Sequence, residues 1–448
     1  MTLIRLRPRK IALVATLLIA GHCQAANFIV NNNQDVPDDN PGDGICHPIN
    51  GAANTCTLRA AIMEANALAG NHVIGLPSGQ YTLNRQGREE QAASTGDLDI
   101  LGSITIVNGT SNPPTIFSTT QDRVFDILSG ASLTLRNVRV NGGVANAVGT
   151  VRGGAFQVTT GAQLTLDQVI VGTNYANIGG AIYNDGIVSI VDSDFYNNAI
   201  TADNVQLEFA NGAAILSRGQ LTIERSTFRE NGRIPGADSL NLLTSAYAIH
   251  LKNNGPASPL GTFVNTTIAN NTRGVRSEGV PLKMDMVTIA GNSGLGLRFV
   301  PDVGNLGVPQ LTIRQTVIAD NDSTDCNGID GNAAENVVRN RYNASTDDSC
   351  GFTGGNDFQN IDSPFFGPLD IYDGLTPVLI PRFDSEIVDA GGPLCLPSFE
   401  DQREKLRPMD GNLDSDNGCD IGAVEFDPLN DPLSNDVIFA DSFDLLVP

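Results

Sequence analysis

The chain has 448 residues, with 50 acidic against 27 basic side chains and a formal net charge of −23. Such a surface repels nucleic acid and anionic membranes, and excludes both as partners. Hydrophobic residues make up 41% and no long run of uncompensated acid occurs, which excludes a disordered chain.

Residues 1–25 read as a secretory signal peptide: Arg5, Arg7, Arg9 and Lys10 precede the apolar run from Ile11 to Ala20, and Cys23, Gln24 and Ala25 offer a small residue at which to cut. The apolar run is too short to span a bilayer, and no later stretch is longer. His22 stands where a lipid-modified cysteine needs a small neighbour. The expected location is therefore outside the cell or at its outer surface. Cleavage leaves 23 basic against 50 acidic residues, a formal charge of −27.

Within an N-terminal cap at 26–75, the stretch CTLRAAIMEANALAG at 56–70 has helical spacing. Leu58, Ala61, Ile62, Ala65 and Leu68 or Ala69 form one apolar stripe, Thr57 caps the start and Gly70 ends it. Arg59, Glu64 and Asn66 are expected toward the other side and Met63 outward. The chain around this helix is rich in Gly, Asn, Thr, Val and Ile in short extended runs.

Residues 76–390 are expected to form the solenoid, and from about residue 130 the chain repeats itself imperfectly: LTLRNVRV at 133, LTLDQVIV at 164, VSIVDSDF at 188, LTIERSTF at 221, GTFVNTTI at 261, LKMDMVTI at 282 and LTIRQTVI at 311. Starts 21 to 40 residues apart are the signature of a solenoid. Asn174, Asn198, Asn231, Asn271, Asn292 and Asn321 fall three residues after the closing apolar position, where stacked amides bond from coil to coil at the strand spacing of ~4.8 Å. A second short strand follows, as GGAF at 153, GGAI at 179 and GAAI at 212. The expected fold is all-β: a right-handed parallel β-helix of the pectin-lyase-like kind. Leu133, Leu135, Leu164, Leu166, Leu221 and Ile223 stack inward, and the helix caps the open end.

Six cysteines survive cleavage, an even number suited to an oxidising compartment. Of 15 possible pairings, the sequential one, Cys46–Cys56, Cys326–Cys350 and Cys395–Cys419, avoids tying distant segments together. Zinc finds no CxxC spacing. The last of these pairs lies in a C-terminal cap segment, 391–427, followed by a tail at 428–448.

The helical stretch resembles the CSLREA motif of secreted bacterial β-helix proteins through Cys56, Leu58, Arg59, Ala61, Ile62, Glu64, Ala65 and Asn66, with Thr57 for Ser and Ala60 for Glu as departures. The preceding DDNPGDGIC at 38–46 is similar to that family's lead-in. DQR at 401, RP at 407 and CDIGAVE at 419 resemble the closing segment of choice-of-anchor Q proteins, and IFADSFD at 438 resembles the endings of some exported proteins. The resemblance implies a β-helix and export, and it implies no particular activity.

Candidate sites are few. Arg136, Asp167, Val191, Glu224, Val264, Asp285 and Arg314 share an outward position after the first strand of each repeat; this mixed charged stripe suits a polysaccharide groove, or else a solvated face of cross-coil ion pairs. Arg136, Asp167, Glu224, Asp285 and Arg314 are its substrate-binding candidates. His250 and Lys252 are the acid–base candidates for a polysaccharide lyase acting on an acidic polysaccharide, with a packed histidine as the competing explanation. The NTD, GHG and RIK strings of a galacturonan hydrolase are missing, and the paired acids Asp38-Asp39 and Asp347-Asp348 lie outside the coils. Asp410, Asn412, Asp414 and Asp416 alternate as in calcium loops, although Ser415 replaces the turn glycine and Ile421 the closing acid. Asp35, Asp38, Asp39 and Asp43 form a less regular acidic cluster. Calcium is thus the one cofactor indicated. The expected function is a monomeric, exported structural, adhesive or glycan-binding protein whose partner is an extracellular polysaccharide or cell-surface glycan.

Overall fold

A computed structural model describes residues 26–431, apart from 89, 146–151, 202–211, 233–245, 254–258, 303, 305–309, 330–336, 340 and 416. The expected signal peptide, most of the tail and Asp416 lie outside the described residues.

The chain winds into a right-handed parallel β-helix whose coils each lay one strand on each of three faces. The first face stacks Asn71–Gly75, Ser103–Val107, Ser132–Arg136, Gln163–Asp167, Ile187–Val191 and Gln220–Glu224, and continues to Val337–Arg339. Alternation drives this stacking: Leu133, Leu164, Val188 and Leu221 pair in register and are at most 1% exposed, while the residues between them face out. A single left-handed residue then turns the chain onto the second face, at Asn137, Gln168, Asp192, Arg225 and Gln315 among others. In GGAF, GGAI and GAAI the leading Gly153, Gly179 and Gly212 all have positive φ, and a Cβ at Gly179 would lie 2.3 Å from the Ile182 carbonyl oxygen. Those glycines let the chain turn onto the third face.

The asparagines form one buried ladder. In each step one side-chain oxygen accepts both the backbone N–H and the amide N–H of the asparagine in the preceding coil, from Asn174 on Asn198 at 3.1 Å to Asn292 on Asn321 at 3.2 and 2.8 Å. Asp325 accepts from the Asn321 amide at 2.8 Å and ends the series.

The helix, α1, spans Leu58–Ala67, with the Thr57 hydroxyl accepting from the Ala60 amide. It occupies the third-face position of the first coil, against Leu98–Ile100, and buries Leu58, Ala61, Ile62 and Ala65. Arg59 and Glu64 lie on the other side from the apolar stripe and reach polar groups there, but that side is not open: both are fully buried. The N-terminal segment folds over the polar side of α1. Asp35 pairs with Arg59 at 2.5 Å, and the amides of Gly42 and Gly44 donate to the Glu64 carboxylate. Met63 is half-buried and packs on the core, so it is not outward either. The solenoid also starts earlier than residue 76, because Asn27–Ile29 already pairs in parallel with Asn71–Gly75.

Disulfides join Cys46 to Cys56, Cys326 to Cys350 and Cys395 to Cys419. Cys350 and Phe352 enter the central core at its far end. Segment 391–427, expected as an end cap, instead runs along the outside of the second face. Gln402 bonds Thr267 and Thr227, the Ala423 amide donates to Thr288, and Asn265 donates to the Glu400 carbonyl. The second face offers these hydroxyls outward, and the strap saturates them. Within it, buried Arg403 pairs with Asp401 at 3.0 Å and buried Arg407 with Glu425 at 3.3 Å, and Arg403 also reaches Asp431, just beyond the segment, at 2.5 Å. The DQR and CDIGAVE motifs thus hold the strap together. Among the described residues no helix is long and apolar enough to cross a membrane.

Candidate functional site

The charged row predicted on the first face exists as a row. Arg136, Asp167, Val191, Glu224, Val264, Asp285 and Arg314 are successive partners in register. Its charges answer one another: Arg136 to Asp167 at 2.7 Å, Arg314 and Lys283 to Asp285 at 3.0 and 2.8 Å, and Glu224 to Arg225 at 2.6 Å. A self-neutralised row holds an anionic or cationic ligand weakly.

The third face differs. Its strands alternate inward apolar residues such as Ile182, Ile215, Ile249, Val275 and Leu297 with outward partners, and the outward row reads Tyr183, Leu216, His250, Arg276, Arg298 in register. Two residues further along each strand lie Asp185, Arg218, Lys252 and Glu278, and before the strands lie Arg152, Tyr247 and Arg273. Arg152 and Arg218 stack over the Tyr183 ring at 4.6 and 5.7 Å, and Arg273 over Tyr247 at 5.4 Å. Arg218 pairs with Asp185 at 2.9 Å, and Arg276 with Glu278 at 2.8 Å. Arg152, Arg273 and Arg298 have no carboxylate partner among the described residues. Around the row from Tyr183 to Arg298, six cations, Arg152, Arg218, Lys252, Arg273, Arg276 and Arg298, therefore stand against Asp185 and Glu278, on a chain that is strongly acidic overall.

Unsatisfied polar atoms gather on the same face. Among the described residues, the Nε atoms of Arg152, Arg273, Arg276 and Arg298, the hydroxyls of Tyr183 and Tyr247, and Nδ1 of His250 are buried without a hydrogen-bond partner. Such atoms are costly to leave unmade, so water or a ligand that answered them would be favoured there.

His250 and Lys252 meet here, both beside Glu278, at 3.4 Å from His250 Nε2 and 3.8 Å from Lys252 Nζ. Burial lowers the His250 pKa to about 4, with Arg276 and Lys252 adding to the effect and Glu278 opposing it. The His250 contact, then Arg276 and Lys252, lowers Glu278 to about 2 against the opposing effect of burial. His250 is neutral at pH 7 and fully enclosed, which leaves it no route to a ligand proton in this conformation.

At its N-terminal end the same outward row turns acidic, with Asp99, Asp126 and Gln157 in register. Asp97, Asp99 and Asp126 each bring a carboxylate oxygen within 4.8 Å of the others, and all three are buried. Burial, then Asp122, raises Asp97 well above the usual carboxylate range; burial raises Asp99 to about 7 and also raises Asp126. Arg123 pairs with Asp126 at 2.6 Å and Asp97 at 3.5 Å.

The loop predicted to bind calcium turns its oxygens on itself. Asp410 accepts from the amides of Asp414 and Ser415, and Asn412 from that of Asp414, at 3.0 to 3.1 Å. The N-terminal acidic cluster is likewise engaged: Asp35 by Arg59, Asp38 by the amides of Asn40 and His47, Asp39 by the His47 ring and Asp43 by the Ile45 amide.

Sequence reasoning missed the third-face row because it aligned the repeats on their first strand. Aligning them on the shorter later strand, GGAF-Q, GGAI-Y, GAAI-L and YAI-H, places Gln157, Tyr183, Leu216 and His250 in one column.

No protein-family model matches the chain, and no curated protein matches it. Among solved structures it is similar to a crystal structure of pectate lyase Pel9A, with a TM-score of 0.46 at 12% identity over 91% of this chain and 98% of that one.

Proposed function

We propose that this chain is an exported β-helix protein that binds an extracellular anionic polysaccharide along its third face, in an adhesive or structural role. The carrying observation is a local inversion of charge: along the row from Tyr183 to Arg298 six cations gather on an acidic protein, several stacked on the buried rings of Tyr183 and Tyr247. Arginine forks suit carboxylates in a repeating chain, and coils repeat at the strand spacing of ~4.8 Å. The three disulfides support an oxidising compartment. The protein acts as a monomer.

Titration of the mature protein with polygalacturonate and alginate at low salt tests this reading. Binding should weaken with rising salt and drop about tenfold or more in Arg276→Ala/Arg298→Ala. Arg136→Ala on the first face should bind like the parent. Equal binding by all three proteins, or none by the parent, overturns the proposal.

The alternative is a polysaccharide lyase, supported by Lys252 and Arg276 around Glu278. Incubation with pectin, alginate and chondroitin in the presence of calcium would then release an unsaturated product absorbing in the ultraviolet, lost in Lys252→Ala. The enclosure of His250 favours the binding role.

A further inference from the structure

Asp99 and Asp126 are neighbours in register at the acidic end of the third face, and Asp97 lies two residues before Asp99. Their three carboxylates are buried together with one oxygen each inside a 4.8 Å envelope. Arg123 reaches Asp126 and Asp97, and the Gln157 amide donates to Asp126 at 3.2 and 3.3 Å. The Asp99 carboxylate accepts the Ala93 amide at Oδ2, 2.8 Å away. Asp99 is 1% exposed, and its Oδ1 is buried with no hydrogen-bond partner among the described residues. Three buried carboxylates share one guanidinium, and Asp122 adds a further negative charge beside Asp97, so the cluster disfavours full ionisation unless a cation answers it.

We propose that Asp97, Asp99 and Asp126 bind a calcium ion. The donors are all carboxylate oxygens, which select a hard cation over zinc or copper. Calcium takes oxygen ligands at ~2.3–2.6 Å, so oxygens on one ion lie up to ~5 Å apart, in keeping with the observed envelope. The site is independent of the glycan reading, and it is distinct from the Asp410 loop, whose oxygens are taken up by that loop's own amides.

The test uses the mature full chain, stripped with a chelator and titrated with calcium chloride alone, by calorimetry and by thermal unfolding at pH 7.5. Calcium should bind and raise the unfolding temperature of the parent and of Asp410→Asn/Asp414→Asn. Asp99→Asn and Asp126→Asn should each bind about tenfold more weakly or worse while keeping the parent's β circular dichroism. Arg123→Gln, which removes a competing cation, should bind calcium more tightly; a merely structural triad gives no such gain. A parent that does not respond to calcium, or an Asp99→Asn variant that responds in full, overturns the proposal. Loss of the response in Asp410→Asn/Asp414→Asn alone places calcium in the other loop and overturns it equally.

Discussion

The Asn66 side chain takes the place of a missing strand: its amide donates to the Asp99 carbonyl at 2.8 Å, and its oxygen accepts the Leu101 amide at 2.9 Å. Leu98–Ile100 is the first strand of the third face, and α1 lies where its neighbour would be. One amide thereby satisfies an edge that would otherwise pair with another chain. Replacing Asn66 with Leu should cost about 1–3 kcal/mol and speed hydrogen exchange at the Leu101 amide, with exchange in the central coils unchanged. Unaltered exchange at Leu101 would refute the edge role.

Ile62 is fully buried beneath the same helix. Ile62→Asp puts an unpaired charge against aliphatic core, a penalty of several kcal/mol, and should detach α1. Light scattering should then detect larger species with the β circular dichroism retained. The comparison variant is Ala67→Asp at the exposed end of the helix. If both variants stay equally monomeric and stable, α1 is not a cap.

Arg59 is the most heavily bonded side chain of α1, held by Asp35 and by the carbonyls of Ala93, Gly96 and Asp97. Asp35 also accepts the amides of Asn84 and Arg85. Arg59→Met strands a buried carboxylate and should lower unfolding stability by about 3–5 kcal/mol. Arg59→Met/Asp35→Asn should recover part of that loss in denaturant titration, and no recovery would contradict direct coupling.

In the middle of the ladder, Asn231 accepts from Asn198 and donates to Asn271. Asn231→Leu leaves both neighbours short of a partner and should cost about 2–4 kcal/mol. A double-mutant cycle with Asn198→Leu should show strong non-additivity. Simple additivity would mean that each turn is stabilised alone.

His250 supplies a pH dependence. Its pKa falls from 6.5 in the unfolded chain to about 4 when folded, so the unfolded chain binds the extra proton between those values. Its contribution is complete above pH 6.5 and is lost as pH drops toward 4, by about 3 kcal/mol. Glu278, depressed to about 2, acts in the same direction below pH 4.5. Urea titrations should show His250→Asn losing less stability than the parent between pH 6.5 and 4; parallel curves would place His250 in contact with water.

The local pattern determined the solenoid. Strand alternation, the recurring asparagine and the paired cysteines each act between residues close in sequence or one coil apart, so the register, the ladder and the three disulfides could be read before any coordinates. The helix was legible for the same reason, in its spacing and in Thr57. The surroundings of a side chain were not legible. Arg59 and Glu64 look solvent-facing on a helical wheel and are buried because a segment 20 residues away folds over them. Segment 391–427 looks like an end piece, yet it lies along the side because hydroxyls on the second face, more than 100 residues earlier, supply its bonds. The first-face charges were placed correctly in a row, but only the fold shows that they neutralise one another. The third-face cations come from coils 22 to 34 residues apart in sequence and become one surface only when the coils stack, since spatial adjacency at ~4.8 Å is set by the length of every intervening turn.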